Sequence, residues 1–185
     1  MQEKGGKKTL IIDVATELFG KYGYHAVGVD WIIRDAGISK KTLYNHFHSK
    51  ENLIIEVLIN RDKECFTSLN QLLKDVSDPL MKLELIFNWH DEWFNQQTFT
   101  GCIFAKAASE FPNKGEEINK IATQQKTGLM NRIEKILEEI VLPEKAKSIA
   151  PIVIMLLDGA TLSAQVIGNI NSANDAWEVV KKLLK

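Results

Sequence analysis

Cysteine, proline and glycine are scarce in this chain of 185 residues. It has two cysteines, four prolines and eleven glycines, so long segments contain no residue that breaks a helix. Cys65 and Cys102 are far apart and lack the paired spacing of a zinc site, which indicates free thiols in a reducing compartment. We therefore predict an all-α protein that needs neither a metal nor another cofactor.

Targeting and membrane-spanning segments are also lacking. The N-terminal run MQEKGGKK is polar, unlike a signal peptide. Between Lys147 and Asp175 the only charged residue is Asp158, but the unbroken apolar run covers only residues 152–157. A spanning helix needs about 20 apolar residues. We predict a cytoplasmic protein with no membrane segment.

Catalytic motifs are missing as well. The sequence has no nucleophile elbow, no phosphate-binding loop and no His/Cys set with metal-ligand spacing. His90, Asp91 and Glu92 are the only cluster of titratable groups in their segment, and consecutive residues on a helix face different directions. The protein is therefore predicted not to be an enzyme.

Charge is distributed unevenly. Residues 1–50 carry eight Lys/Arg and five Asp/Glu, a net charge of +3, whereas residues 51–185 carry fifteen and nineteen, a net charge of −4. This asymmetry favours a small basic domain that binds nucleic acid, attached to an acidic body. The first eight residues, with three lysines, are predicted to form a flexible arm, which either contacts phosphate or is a solvated tail.

Residues 27–52 contain two short helical segments separated by a turn. Apolar residues at helical spacing predict the first helix over residues 30–36. Gly37 suits the end of that helix because glycine has no Cβ to clash in the left-handed conformation. Ser39 can cap the second helix by accepting a hydrogen bond from a free amide.

The second segment has one apolar and one polar side. Leu43 and Phe47 are four residues apart and can anchor it to a core. The side chains left to face outward are Lys40, Lys41, Thr42, Tyr44, Asn45 and His46. A helix of about eight residues with two lysines at its start suits the major groove of DNA. We predict a helix-turn-helix.

The run AGISKKTLYNHFHSKENL, which starts at Ala36, resembles the DNA-binding signature of the tetracycline-repressor (TetR) family. The resemblance extends upstream through an amphipathic helix, residues 9–22, and covers the first third of the chain. It implies an all-α fold of about nine helices. An N-terminal three-helix DNA-binding domain would occupy residues 1–50, and a larger helical bundle for ligand binding and dimerisation would occupy residues 51–185.

Contacts with the DNA backbone are expected from two groups of residues. Tyr44, His46 and Lys50 match positions at which members of the resembled family touch phosphate, and each side chain can donate a hydrogen bond to phosphate oxygen. The amides of Gly28 and Val29, at the start of the preceding helix, can also donate to phosphate.

Contacts in the groove are expected from Lys40, Lys41 and Thr42 at the start of the recognition helix. Two departures from the family pattern affect these expectations. Val27 and Gly28 stand where a hydroxyl residue often caps the second helix, so a backbone contact replaces a side-chain one. Lys41 stands where a small residue is common, which indicates a base preference of its own.

An effector pocket in the body is implied by the resemblance. Pockets are mostly apolar with a few polar groups, and the body is rich in aromatic and sulfur-containing residues. The predicted ligand-binding residues are Phe66, Trp89, His90, Trp93, Phe104, Met130, Met155 and Asp158. The alternative for each of them is an ordinary place in the hydrophobic core.

The last two helices are predicted to form a dimer interface. Small residues on the first of them allow another helix to approach closely, and relatives in the resembled family dimerise in this region. The predicted interface residues are Gly159, Ala160, Ser163, Ala164, Trp177, Val180 and Leu184. The alternative is that these faces only close the core of the monomer.

These observations predict a ligand-responsive transcriptional regulator. We expect a homodimeric repressor that binds a palindromic operator in double-stranded DNA and is released by a small hydrophobic or amphipathic effector. The effector would shift the long helix that starts at Lys50, provided that it binds the two states with different affinity. The alternative is a DNA-binding or protein-interaction module without an effector.

Overall fold

The computed structural model describes the backbone of residues 4–185 and the side chains from Gly6 onward. These residues form nine α-helices and no strand. The helices are α1 (Lys4–Tyr22), α2 (Val29–Asp35), α3 (Lys40–His46), α4 (Lys50–Leu73), α5 (Pro79–Phe94), α6 (Ile103–Glu110), α7 (Glu117–Glu138), α8 (Pro143–Ile167) and α9 (Ser172–Leu183). The predicted all-α fold is confirmed.

Capping residues account for where α5 begins and where α8 ends. Asp78 accepts hydrogen bonds from the amides of Leu80 and Met81, both at 3.3 Å, and Pro79 occupies the first position of α5. Gly168 ends α8 with a φ of 78°. Leu80 and Met81, in the first turn of α5, are exposed.

Helix α1 begins at Lys4, five residues before the predicted start at Thr9. The Lys8 ammonium lies 2.7 Å from a carboxylate oxygen of Glu56 and 5.9 Å from the centre of the Phe47 ring. These contacts hold the Lys8 side chain against the protein, and the backbone of residues 4–8 is helical, so the predicted flexible arm is wrong over this range. The rest of the predicted arm, residues 1–3, lies outside the described residues.

The chain divides into two compact units. Unit 1 comprises the described residues up to Glu64 together with Cys102–Gln124, and unit 2 comprises Cys65–Gly101 and Gln125–Lys185. Each unit has its own hydrophobic core. Two of the three boundaries between the units fall inside α4 and α7, and the third lies between Gly101 and Cys102, just before α6.

The core of unit 1 draws on a segment that is distant in sequence from the helix-turn-helix. Helix α6 and the first turns of α7 contribute six buried residues, namely Ile103, Phe104, Ala107, Ile118, Ile121 and Ala122. They pack with buried residues of the first four helices. The predicted functional division at residue 50 stays a prediction, whereas the compact unit around the helix-turn-helix includes more of the chain.

Helix α8 meets the length and composition of a membrane-spanning helix, but these criteria are also met by core helices of soluble proteins. A share of 44% of its most apolar window is buried inside the protein. Val153, Leu157 and Ala164 are buried in the core of unit 2. The apolar character of α8 is therefore explained in large part by its packing.

Candidate functional site

The turn between α2 and α3 has the geometry that the sequence predicts. Gly37 has a φ of 61°, a conformation that side chains with a Cβ rarely adopt. The Gly37 amide donates to the carbonyl of Arg34 at 3.2 Å, and the Ile38 amide donates to the carbonyl of Ile33 at 3.1 Å. These bonds satisfy carbonyl groups at the end of α2 and redirect the chain towards α3.

Helix α3 is fixed at its start and along its inner side. The Ser39 hydroxyl oxygen accepts a hydrogen bond from the Thr42 amide at 3.1 Å, which confirms the predicted cap. Leu43 and Phe47 are buried in the core of unit 1 together with Ile32 of α2. Because these anchors leave α3 little freedom to rotate, its outer face has a defined direction.

The outer face of α3 carries donors that suit DNA. Lys40, Lys41 and Tyr44 are exposed, while Thr42, His46 and Lys50 are partly buried. The Lys40 ammonium lies 3.5 Å from Asp30, an exposed ion pair that a phosphate can readily replace. Among the described residues Lys41 forms no ion pair. The face therefore offers at least two cations and a phenol to a polyanion.

The start of α2 is open in front of its first amides. Gly28 occupies the cap position with extended backbone, and no side chain caps the helix. A Cβ built on Gly28 meets nothing within 4 Å. This backbone arrangement is the one expected where Val27 and Gly28 replace the hydroxyl residue that often caps the second helix. The phosphate contact by the amides of Gly28 and Val29 stays a prediction.

An exposed cluster on α2 was missed by sequence reasoning. The Trp31 indole donates to Asp35 at 2.8 Å, and the Arg34 Nε donates to the other oxygen of the same carboxylate at 2.9 Å. The Arg34 guanidinium also lies 5.6 Å from the centre of the Trp31 ring. The spacing of Trp31 and Asp35, four residues apart on a helix, is the signal that was available. The cluster orients one further cation, Arg34, on the first helix of the helix-turn-helix.

In unit 2, three of the predicted ligand-binding residues come together around His90. The His90 ring centre lies 5.0 Å from that of Trp89 and 6.4 Å from that of Trp93. His90 is only 6% exposed, and its Nδ1 lies 2.7 Å from the carbonyl of Ile86. Because a carbonyl can only accept, Nδ1 donates, and in the neutral ring Nε2 is left as an acceptor.

The charged pair Lys126–Asp158 also acts on His90. The Lys126 ammonium donates to the Asp158 carboxylate, and both groups are partly exposed. Burial lowers the pKa of His90 to about 4; the Ile86 carbonyl and Asp158 oppose this shift, and Lys126 adds to it. At neutral pH the arrangement is therefore an uncharged acceptor among aromatic rings, with a charged pair nearby.

Acid should destabilise the protein through His90. The unfolded chain binds a proton on this residue below about pH 6.5, whereas the folded chain does so only near pH 4, so the free energy of unfolding falls as the pH is lowered through that window. The contribution is on the order of 3 kcal/mol. Denaturant titrations of the wild type and of His90→Gln at pH 7 and pH 4.5 should show a smaller loss for the variant. An equal loss in both, with exposed His48→Gln as the control, would contradict the assignment.

The other predicted ligand-binding residues are dispersed. Phe66 is partly buried beneath the Arg132 guanidinium, which lies 5.3 Å from the centre of its ring, and Met130 packs against the core of unit 2. Met155 is 63% exposed, so it does not line an enclosed pocket. Phe104 is buried in the core of unit 1 and does not belong with the residues around His90. The prediction that Met155 and Phe104 line a ligand pocket is therefore corrected.

Four of the seven predicted interface residues are buried within unit 2 itself. Ala160, Ala164, Trp177 and Val180 belong to its hydrophobic core, so for them the alternative role in the monomer core holds. Gly159 is exposed, and Ser163 and Leu184 are partly buried. Small residues on α8 allow close packing with α9 of the same chain, which the sequence pattern could not distinguish from packing with a second copy.

Next to this buried face, α8 presents an apolar surface. Met155, Leu162 and Val166 are 63%, 60% and 72% exposed, and Gly159 lies between them at helical spacing. We call these four residues the α8 stripe. Single exposed apolar residues are common, but a contiguous row of them marks an interaction surface.

No metal site is evident in the described part of the chain, where no three His, Cys, Asp or Glu side chains are grouped to hold an ion.

Two carboxylates with several partners turn out to bind backbone amides. Asp91 binds amides at the start of α9, and Glu110 binds amides of the α1–α2 loop. Sequence reasoning gave neither this role.

Comparison with known proteins places the helix-turn-helix in a family. The family described as "Bacterial regulatory proteins, tetR family" matches residues 11–57. The uncharacterized HTH-type transcriptional regulator YxaF of Bacillus subtilis is 25% identical over 165 residues, 88% of this chain and 86% of that protein. The HTH-type transcriptional activator FasR of Mycolicibacterium smegmatis is 37% identical over 73 residues, but the match covers 40% of this chain and only 33% of that protein.

Solved structures extend the similarity to the whole fold. SCO4454, a TetR-family transcriptional regulator from Streptomyces coelicolor, has a TM-score of 0.92 and covers 97% of this chain and 95% of its own, at 19% identity. At that identity the likeness concerns the fold. The family match, the regulators among its relatives and the shared fold agree: residues 11–57 are a DNA-binding domain of the tetR family, and the chain as a whole is similar to DNA-binding transcriptional regulators.

Proposed function

We propose that this chain is a homodimeric repressor in the cytoplasm that binds a palindromic operator and is released by a small hydrophobic or amphipathic effector. The observation that carries the proposal is the outer face of α3, where Lys40, Lys41 and Tyr44 are exposed while Leu43 and Phe47 anchor the helix. Phosphate contacts by such residues supply affinity and register, and contacts with base edges supply sequence preference.

Selection of bound sequences from random duplex DNA tests this proposal. A two-fold dimer places two recognition helices on one face of the duplex, so the bound sequences should contain an inverted repeat with half-sites about one helical turn, or a multiple of it, apart. Recovery of single half-sites would favour a monomeric DNA-binding module. Recovery of no sequence, with or without cell extract, would overturn the proposal.

Dimerisation is proposed to use the α8 stripe. The stripe is apolar, and a two-fold axis would pair it with itself. Its burial would remove three exposed apolar side chains of α8 from water. The partly buried Leu184 of the predicted interface lies near the end of the chain, just after α9.

Leu162→Glu is expected to disrupt the dimer. It would place a carboxylate without a partner at two symmetry-related positions of the interface, and we expect the dimer dissociation constant to rise at least about 100-fold. Sedimentation equilibrium measures this change. The matched control is Leu142→Glu, because Leu142 is equally apolar and 79% exposed but lies at the cap of α8 outside the stripe. If both variants remain dimeric, the stripe is not the interface.

The group around His90 supports the effector part of the proposal. Trp89 and Trp93 supply apolar rings, and His90 supplies an acceptor with no hydrogen-bond partner at Nε2 within the described residues. An effector with a hydroxyl or N–H group would satisfy this acceptor. It would release DNA only if it binds the DNA-free state more tightly than the DNA-bound state.

A screen of small amphipathic molecules against the complex with a selected duplex separates the two functional alternatives. Release of the duplex by one of them, with loss of that response in His90→Phe, supports a ligand-responsive repressor. Tighter binding in the presence of a molecule would indicate an activator or a co-repressed protein. If no molecule changes the affinity while the duplex stays tightly bound, a regulator without an effector is favoured.

A further inference from the structure

Helix α6 binds the end of α1 with two oppositely charged side chains. Lys106 and Glu110 are four residues apart and therefore lie on the same side of α6. The Lys106 ammonium donates to the carbonyl of Gly20, one of the last carbonyl groups of α1. Glu110 accepts from backbone amides just beyond the end of that helix. The cation thus meets the negative end of the α1 dipole, and the carboxylate meets the donors that follow it.

The Glu110 carboxylate is held by consecutive amides. One oxygen accepts from the Tyr24 amide at 2.9 Å, and the other accepts from the His25 amide at 2.6 Å. Gly23, with a φ of 85°, lies so close that a Cβ built on it would be 2.7 Å from the first of these oxygens. A backbone in which a left-handed residue makes neighbouring amides converge is an anion-binding nest. Here the anion is a side chain of the same unit.

Further contacts join α6 to the same loop. The Tyr24 hydroxyl, which is buried, donates to the carbonyl of Ile103 at 3.0 Å. The His25 Nε2 lies 2.9 Å from the carbonyl of Glu110, and the His25 ring packs 4.9 Å from that of Phe111. These contacts and those of Lys106 and Glu110 form what we call the α6 clasp. It runs from the first to the last residue of α6.

The clasp acts on the loop that leads into α2. Gly28, the cap of α2, follows His25 by three residues, and Val27 between them is buried in the core of unit 1. Helix α2 packs against α1 and α3. The position of the amides at the start of α2, and through α2 the direction of α3, therefore depends on where the loop is held.

We propose that Glu110 is a positioning residue for DNA recognition, which acts through the α1–α2 loop without touching DNA. The proposal rests on the proposed operator contacts of α2 and α3. Removing the charge of Glu110 should change DNA affinity in the direction opposite to that expected from the charge alone. Loss of a negative charge from a DNA-binding unit should by itself leave DNA affinity unchanged or raise it. Loss of the Glu110 carboxylate should lower it.

Glu110→Gln and Glu116→Gln form the first test pair. Both remove one negative charge from unit 1, and the exposed Glu116 side chain forms no hydrogen bond or ion pair within the described residues. The probe is a duplex that the wild type selects from random DNA, and the temperature is one at which circular dichroism shows every variant to be folded. We expect the dissociation constant to rise about tenfold for Glu110→Gln, and to stay constant or fall for Glu116→Gln.

A second pair of variants keeps the net charge constant. One of them perturbs the clasp, and the other is its control. Gly23→Ala brings a Cβ against the Glu110 carboxylate, whereas Gly168→Ala imposes similar backbone strain, at a φ of 78°, where nothing lies within 4 Å. Weaker DNA binding is expected for Gly23→Ala alone. This pair keeps the test informative if Glu110→Gln does not fold.

Hydrogen exchange of the Tyr24 and His25 amides reports directly on the clasp. We expect Glu110→Gln and Gly23→Ala to lose protection at these two amides in parallel with DNA affinity. Loss of protection with unchanged affinity would overturn the proposal, because the clasp would then be merely structural. Failure of the wild type to select any duplex would overturn the proposed function instead, so the two failures are distinguishable.

Discussion

Replacing Lys41 and Tyr44 together with alanine should abolish selection of a specific DNA sequence while leaving the fold intact. Both side chains are exposed on α3 and contribute nothing to the core of unit 1, so circular dichroism and thermal unfolding should match the wild type. Each lost contact with a base or a phosphate costs about 1–3 kcal/mol. With two contacts in each subunit of the proposed dimer, affinity for the selected duplex should fall at least about 100-fold.

The control for this prediction is Lys145→Ala. Lys145 is exposed in unit 2 and its loss changes the net charge by the same amount. Fluorescence anisotropy with a labelled duplex, at a fixed salt concentration, measures both variants, since the affinity of DNA-binding proteins depends steeply on salt. If the double variant and Lys145→Ala bind equally well, the outer face of α3 does not read the operator.

Replacing Asp91 with alanine should destabilise unit 2 by about 3 kcal/mol. The carboxylate of Asp91, only 6% exposed, accepts hydrogen bonds from the amides of Ala173 and Asn174, both at 2.9 Å. These are the amides that a cap residue normally satisfies, and Asn171 at the cap position of α9 makes no such bond. The variant leaves two amides without acceptors at a buried helix start, where each costs about 1–3 kcal/mol.

Burial raises the pKa of Asp91, and the two amide bonds oppose this shift. The cost of removing the carboxylate from water therefore offsets part of the stability that its two hydrogen bonds contribute. For this reason we expect a loss of about 3 kcal/mol rather than the full sum for two hydrogen bonds to a charged group. The melting temperature should fall by roughly 6–12 °C in differential scanning calorimetry. Asp91→Asn, which keeps one acceptor, should lose about half as much.

Glu92→Ala is the matched control for Asp91→Ala. Glu92 is the next residue on α5, has the same charge and is exposed, so its loss should change the free energy of unfolding by less than about 0.5 kcal/mol. Similar melting temperatures for the Asp91 and Glu92 variants would show that the start of α9 does not depend on the carboxylate. The prediction would then be refuted.

The helix-turn-helix could be predicted from sequence because its determinants are local. The bond from Ser39 to the Thr42 amide spans three residues, and Leu43 and Phe47 are separated by one helical turn. Each feature depends on spacing that can be read directly along the chain. The exposed lysines on the opposite side follow from the same periodicity.

Contacts between distant segments could not be predicted in this way. Tyr24 and Glu110 are 86 residues apart, and nothing in the periodicity of α6 indicates that it packs with the N-terminal helices. Asp91 binds amides 82 and 83 residues away. Consecutive residues on a helix face different directions, which excludes a catalytic cluster of His90, Asp91 and Glu92. The same rule does not say which partner each of these residues faces.

The placement of small and apolar residues on α8 shows a related limit. The pattern predicts that Ala160 and Ala164 meet another helix, and they do, but that helix belongs to the same chain. Leu162 and Val166 on the exposed side have the same apolar character. Hydrophobicity gives only the average tendency of a residue type to be buried. Which partner covers a particular side chain depends on the tertiary fold.

The core of unit 1 is completed late in the synthesis of the chain, because it is formed by segments that are distant in sequence. The first four helices leave the ribosome well before α6 and the start of α7, which supply Ile103, Phe104 and Ile118 to their core. Until about 50 further residues have been synthesised, the nascent DNA-binding unit lacks part of its apolar packing, and an uncompleted core is exposed to aggregation and proteolysis. Cells would therefore hold few truncated chains with a complete DNA-binding unit.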